Sequence, residues 1–436
     1  MSKPLFVISS PFDTYSGYGA RSRDLIKAII ETDKYDVKLL SQRWGDCAWK
    51  FCSDNQEWSF LYNYVLNTPQ LPRQPEIWAQ ITVPNEFQTI GKYNIGITAG
   101  IETTICSPEW IEGVNRMNLT LVSSNHSKQV FENSKFQKQN KQTNAIEGTV
   151  ELNKPIEVLF EGANLETYLP QEPAIKGASV LSDTITDIKE DFAYLFLGHW
   201  MQGDLGEDRK NVGLLVKAFY ETFKNKAKKP ALILKTSSAV SSYTDRELIL
   251  NKIQQIKETV DSKNLPNIYL LHGEFSDVEI NEIYNHPKVK AMVSLTKGEG
   301  FGRPLLEFSL IKKPIIVTNW SGHMDFLNPE FVASVNGNLK NVHPSAANQF
   351  LLAESQWFEP NSGEIGHNLK DVFENYKNYL EGAKRQAFRS KNEFSYDKMK
   401  ESVDSILTKY IPEFPKSVEL KLPQLKKLEL PKLKKI

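Results

Sequence analysis

Along most of the chain, short apolar runs alternate with longer amphipathic stretches. "PLFVIS" (4–9), "EIWAQI" (76–81), "YNIGIT" (93–98), "LTLVSS" (119–124) and "IEVLFEG" (156–162) have the length and apolar content of buried strands. A second series follows a polar connector near residues 170–190: "FAYLFLG" (192–198), "ALILKT" (231–236), "NIYLLHG" (267–273), "KAMVSLT" (290–296) and "PIIVTN" (314–319). Segments such as "VGLLVKAFYETF" (212–223) lie between them, with apolar residues at helical spacing. Strands alternating with amphipathic helices indicate an α/β protein built from βα units on parallel sheets. Two such series predict two Rossmann-like domains facing a cleft, over residues 1–170 and 171–385. A helical segment over 386–412 is expected to return towards the first domain. The polar stretch 134–154 reads as a loop or hairpin.

From residue 413 the pattern changes. Prolines at 415, 423 and 431 forbid a continuous helix, so residues 413–436 read as an extended tail. Its lysines make it basic, which suits either a solvated tail or a segment that docks on a partner or an anionic surface.

Composition narrows the class. At 436 residues the chain is too long for one ordinary core. Basic and acidic residues balance at 53 each, which argues against a general polyanion binder. Three cysteines without a CxxC pair predict reduced thiols and a cytoplasmic protein. No apolar stretch is long enough to span a bilayer, so membrane contact would be peripheral. Neither a D-x-D nor a His/Cys cluster with metal-ligand spacing occurs, so no metal and no resident cofactor is expected.

The candidate chemistry sits in "KGEGFGRPLLE" (297–307). An apolar run ends just before Gly298, and a helix can begin near Gly302 with Pro304 in its first turn. Glu299 then lies at the carboxyl end of a strand, where open α/β sheets bind ligands. Gly300 and Gly302 would allow close backbone approach to a ligand, and the helix start favours an anion. Glu307 lies further into the helix, too far to share a proton with Glu299. The two carboxylates would grip different hydroxyl-bearing parts of one ligand.

"EGFGRPLLE" resembles the E-x7-E signature of the retaining glycosyltransferases of family four, which have the GT-B fold. Five further segments resemble that family in order: "SGYGARSRDL" (16–25), "LVSSNHSKQVF" (121–131), "VLFEGANLETYLP" (158–170), "FLGHW…DRKNVGLLVKAF" (196–219) and "FSLIKKPIIVTNWSG" (308–322). The resemblance implies transfer of a sugar from a UDP-, GDP- or ADP-linked donor to an acceptor hydroxyl, with the anomeric configuration retained. It implies that Glu307 and the segment Gly300, Phe301 and Gly302 bind the nucleotide sugar, and that Glu299 contacts the sugar. Lys210, with Arg209, would neutralise the diphosphate. His199 stands where the family commonly has an arginine, and that departure leaves its role open. Gly17 and Gly19 would approach the diphosphate or the acceptor, and Glu102 would face the acceptor hydroxyl as an orienting group or base. His126, Ser321 and Gly322 are cleft-lining candidates.

The acceptor is read as a glycan or lipid-linked saccharide. A hydroxylated nucleic-acid base is the alternative, and a catalytically silent sugar-nucleotide-binding protein the rival class. Trp44, Trp49 and Trp58 fit either a stacking platform or core packing. Oligomeric state is left open.

Overall fold

The apolar runs fold as strands because a parallel sheet covered by helices buries both of their faces. The computed structural model describes residues 3–415, apart from 69, 72, 141, 142, 144, 173–176, 178, 239 and 240. The first series gives β1 (Leu5–Ser10), β2 (Asp36–Ser41), β3 (Ile77–Ile81), β4 (Tyr93–Ile97) and β5 (Leu119–Val122). Next come β6 (Phe136–Gln139), β7 (Ile146–Val150) and β8 (Ile156–Val158). All but β6 and β7 form one parallel sheet in the order β2-β1-β3-β4-β5-β8. β6 and β7 pair antiparallel, so the polar stretch is a hairpin. β2 was not among the expected strands. It is an edge strand that buries only Val37 and Leu39, and therefore shows no continuous apolar run.

The second series gives β9 (Ala193–Leu197), β10 (Ala231–Lys235), β11 (Ile268–Leu271), β12 (Val289–Ser294), β13 (Ile315–Thr318) and β14 (Ala333–Val335). They form a parallel sheet in the order β11-β10-β9-β12-β13-β14. A further hairpin, β15 (Gly337–Asn341) with β16 (Gln356–Pro360), has no precursor in the sequence pattern. The architecture is thus α/β, with two Rossmann-like domains and C-terminal helices.

β9 and β12 are neighbours, with Leu195 opposite Met292. The chain turns to opposite sides of the sheet from these two strands, and a crevice opens at their carboxyl ends. That pairing brings the loop after residue 197 beside the loop after residue 294.

The chain crosses between domains twice, side by side. Ala163 N–H donates to Phe394 O at 2.9 Å, and Tyr396 N–H donates to Ala163 O at 2.8 Å. The helix Tyr376–Glu393 runs unbroken through residue 386, so the crossing lies at 394–395 rather than at the expected 386. Ser395 starts the last helix, Tyr396–Tyr410, by accepting from Lys398 N–H. Met399, Val403 and Leu407 of that helix are buried with Phe6, Leu25 and Ile26 in the core of the first domain. A cavity of about 320 Å³ at the crossing is lined by Lys27, Glu31, Tyr396 and Lys400. Its two lysines both pair with Glu31, so their charges are already met within the protein. Among the described residues, no helix is long and apolar enough to cross a membrane. The tail lies outside the described residues from position 416.

Candidate functional site

The loop after β9 ends in a tight, buried turn. Asn211 adopts a left-handed conformation with φ 58°, which Asn tolerates better than most residues. Asp208 caps the following helix, Val212–Phe223, accepting from Val212 N–H at 3.1 Å. Between them, Arg209 and Lys210 project towards the loop after β12. Lys210 Nζ donates to Glu299 Oε1 at 2.5 Å. Arg209 Nη1 donates to Gly298 O at 2.9 Å and stands 3.6 Å from Glu299 Oε2. Its Nη2 lies 3.7 Å from Glu102 Oε1 in the first domain.

Burial would raise the Glu299 carboxyl, but Lys210 and Arg209 outweigh it and hold it at about 2. Burial lowers the Lys210 ammonium despite the attraction of Glu299, and Arg209 beside it acts in the same direction. Glu299 is therefore a fixed anion between two cations. His199 hydrogen-bonds with Ser237 through Nδ1 at 3.3 Å. Burial, with Lys235 and Lys210 nearby, lowers it from its ordinary value and keeps it neutral. His199 thus supplies no positive charge, and Arg209 and Lys210 are the cations on Glu299.

Beyond Glu299 the chain turns through Gly302, whose φ of 95° suits glycine, into the helix Arg303–Ser309. Glu307 is buried on this helix. Its Oε1 accepts from Arg303 Nε at 2.8 Å, and the Tyr284 hydroxyl approaches Oε2 at 3.4 Å. Burial pushes the Glu307 carboxyl up to about 7, against the pull of Arg303. Glu299 and Glu307 thus sit in separate environments, one ionised far below neutrality and one poised near it.

The first domain closes directly on this loop. An added Cβ at Gly298 would stand 1.9 Å from Glu102 O, and one at Gly300 would stand 2.5 Å from Ala99 O. Ser123 Oγ donates to Gly300 O at 3.2 Å, and Asn125 N–H donates to Asp325 Oδ2 at 2.7 Å. The hairpin β15–β16 also reaches across. Thr104 N–H donates to Gln356 O at 2.9 Å, and Gln356 N–H donates to Thr104 Oγ1 at 2.9 Å. The cavity bounded by Lys210, Glu299, Gly302 and Pro304 holds about 10 Å³, roughly room for one water.

The structure therefore brings Glu102, Arg209, Lys210 and Glu299 into one ionic cluster, with Gly298 and Gly300 at the domain contact. Glu307 stands apart from that cluster on the next helix. The Phe301 side chain is buried against Phe326, with ring centroids 5.0 Å apart, which leaves the backbone of this segment as the part that can meet a ligand. Gly300 lies against the Ala99 backbone of the first domain. Gly17 opens the helix Gly17–Glu31 with free space around it, while Gly19 packs against Thr14 of its own loop. His126 is half-buried with its Nε2 shielded and unpaired among the described residues, its ring edge-on to Trp320 at 4.7 Å. Ser321 Oγ accepts from Glu299 N–H at 2.9 Å, fixing the loop. Trp58 is core, whereas Trp44 stacks on Tyr18 with centroids 3.8 Å apart and both rings half-buried.

Sequence reasoning passed over Lys297. Its side chain is fully buried, paired with Glu359 on β16 and 3.6 Å from Glu207. It lies 4.9 Å from the Trp357 ring and pins the hairpin to the Glu299 loop. The one available signal was a lysine at the end of an otherwise apolar strand.

Residues 206–350 match the model of the family described as Glycosyl transferases group 1. No curated protein matches the sequence. Among solved structures, a glycosyltransferase from Rickettsia africae is similar over 94% of this chain and 99% of its own, at 13% identity and a TM-score of 0.61. Sucrose-phosphate synthase from Thermosynechococcus elongatus is similar over 93% and 99%, at 10% identity and a TM-score of 0.59. The Anabaena protein HepE, in complex with UDP-glucose, is similar over 93% and 100%, at 13% identity and a TM-score of 0.59.

Proposed function

We propose that this chain, in which residues 206–350 match the glycosyl transferases group 1 model and which shares its fold with solved glycosyltransferases, moves a sugar from a nucleotide diphosphate sugar to a carbohydrate hydroxyl with retention. The observation that carries this reading is the cluster of Lys210, Arg209 and Glu299 at the mouth of the crevice between β9 and β12. Two cations placed there meet the charge that builds on a departing diphosphate, which is the role a divalent ion fills elsewhere. Domain opening exposes them, and a diphosphate then competes with Glu299 for Lys210.

In this reading Glu307 accepts hydrogen bonds from the ribose hydroxyls. Glu299, released in part from Lys210, faces the sugar hydroxyls. The bond from the anomeric carbon to the diphosphate oxygen breaks while the acceptor oxygen forms its bond on the same face. The departing phosphate takes the acceptor's proton, so neither carboxylate has to act as a nucleophile. Glu102, held by Arg209, orients the acceptor hydroxyl across the domain contact. UDP-glucose in HepE makes a uridine donor the first to try.

Support for a sugar acceptor comes from the Tyr18–Trp44 stack. The Tyr18 hydroxyl is fixed by Thr98 Oγ1 at 2.9 Å and by Ala99 N–H at 3.1 Å, just before Glu102. Trp44 extends that anchored ring as a flat, partly exposed surface, which suits the face of a pyranose. Trp44→Ala is expected to raise the acceptor KM about tenfold while donor hydrolysis in the absence of acceptor stays near wild type. An unchanged acceptor KM would remove the platform. NMR of the transferred product is expected to show the donor's anomeric configuration, and an inverted product would overturn the front-face path.

A further inference from the structure

The helix Arg303–Ser309 begins with a cation, at the end where the helix dipole opposes one. A half-buried guanidinium in that position calls for a compensating role. Arg303 Nε donates to Glu307 Oε1 at 2.8 Å, one turn along the same helix. Its Nη1 donates to Asp24 Oδ2 at 2.5 Å, and Asp24 belongs to the helix Gly17–Glu31 of the first domain. Asp24 and Glu307 are each 5% exposed. Glu307 and Asp24, both buried, are therefore joined by the half-buried Arg303 into a row that crosses the domain boundary.

The charged and titratable neighbours of this row come from both sides. Asp277, Tyr284 and Tyr168 face it from the second domain and the crossing segment, and Glu161, Arg21 and Arg23 from the first. The Arg21 Nη1–Glu161 Oε1 distance of 3.7 Å pairs those two with each other. Among the described residues, Arg303 is thus the cation directly bonded to Glu307, and it leaves Glu307 Oε2 with only the long Tyr284 contact.

We propose that Arg303 is a positioning residue that orients Glu307 for a nucleoside diphosphate and ties that grip to domain closure through Asp24. The proposal rests on the reading of Glu307 as the ribose-binding carboxylate. Parting of the domains breaks the Arg303–Asp24 bond, whereas the Arg303–Glu307 bond within one helix survives. A ribose hydroxyl on Oε2 then leaves Arg303 held towards Asp24, ready for the first domain to return. Both halves of the site are coupled through one guanidinium.

Calorimetry of the full chain with UDP, GDP and ADP across neutral pH tests this. Glu307→Gln separates the premise from the proposal: if it binds nucleotide as wild type does, the ribose reading fails, and this inference falls with it. If Glu307→Gln loses binding, Arg303→Leu is expected to weaken binding about tenfold at neutral pH. It is also expected to move the pH at which binding develops upward, because Glu307 ionises less readily without its cation. Arg303→Lys, which keeps the charge but not the fork, is expected to restore the pH midpoint and only part of the affinity. In turnover, the kcat losses of Asp24→Asn and Arg303→Leu are expected to be non-additive, as for residues acting as one unit. Arg303→Leu or Arg303→Lys with wild-type affinity and an unmoved pH midpoint, or strictly additive kcat losses with Asp24→Asn, would overturn the proposal.

Discussion

Lys210→Ala is expected to lower kcat by about 10²–10³-fold, the usual cost of removing one preorganised group that meets developing negative charge. Lys210 borders the cavity beside Gly302 and Pro304, and its ammonium bonds a single carboxylate oxygen. Arg209 is less free to act, because Gly298 O, Glu299 and Glu102 all engage its guanidinium. The same substitution strips Glu299 of its nearer cation. Glu299 is then a buried carboxylate whose charge Arg209, at 3.6 Å, compensates only in part, so the melting temperature falls as well. The two effects are separable. Lys210→Ala combined with Glu299→Gln removes the uncompensated charge, and is expected to regain much of the lost stability but none of the lost turnover. Recovery of turnover in the double variant would show that Lys210 serves only to neutralise Glu299.

The pH dependence of this pair follows from the direction of its shift. Glu299 has a folded-state value near 2, below the ordinary 4.5, so its contribution is complete above the ordinary value. It is lost as pH falls through the folded value. Glu307 behaves oppositely: its value of about 7 means that its favourable contribution is full below 4.5 and disappears as pH rises through 7.

The second large effect belongs to Gly298→Ala. The new methyl carbon would stand 1.9 Å from Glu102 O and 2.8 Å from Glu102 C, which are backbone atoms and cannot swing aside. The collision is between domains, so each domain keeps its fold and the closed arrangement is what suffers. Misplacing reacting groups by about 1 Å can cost about 10²-fold, and kcat is expected to fall by that order. Nucleotide affinity is expected to change little, since Lys210 and Glu307 stay on one domain. A Gly298→Ala enzyme with full kcat would mean that the closed contact between residues 298–300 and 99–102 is not the reacting geometry.

These two residues illustrate what a sequence discloses. Glu299, Glu307 and the Arg209–Lys210 pair stood out because strand ends, glycines and charge lie close together in the chain. The central strands were equally plain, since burial on both faces leaves an unbroken apolar run. β2 was not, because an edge strand needs only two buried side chains. Lys297 and Glu359 are 62 positions apart, and Arg303 and Asp24 are 279 apart. No spacing rule links such pairs. Nor does the motif disclose that the Phe301 side chain turns into the core, against Phe326. The demand on Gly298 arises from the backbone of another domain and has no trace in its own neighbourhood.

The most direct test of the account is nucleotide release from UDP-, GDP- and ADP-sugars by the purified chain, beside Lys210→Ala and Glu307→Gln. Release from one donor, falling sharply in both variants, is the predicted result. Equal release by all three proteins would contradict the donor site. So would silence from the wild-type chain together with no thermal stabilisation by UDP, GDP or ADP.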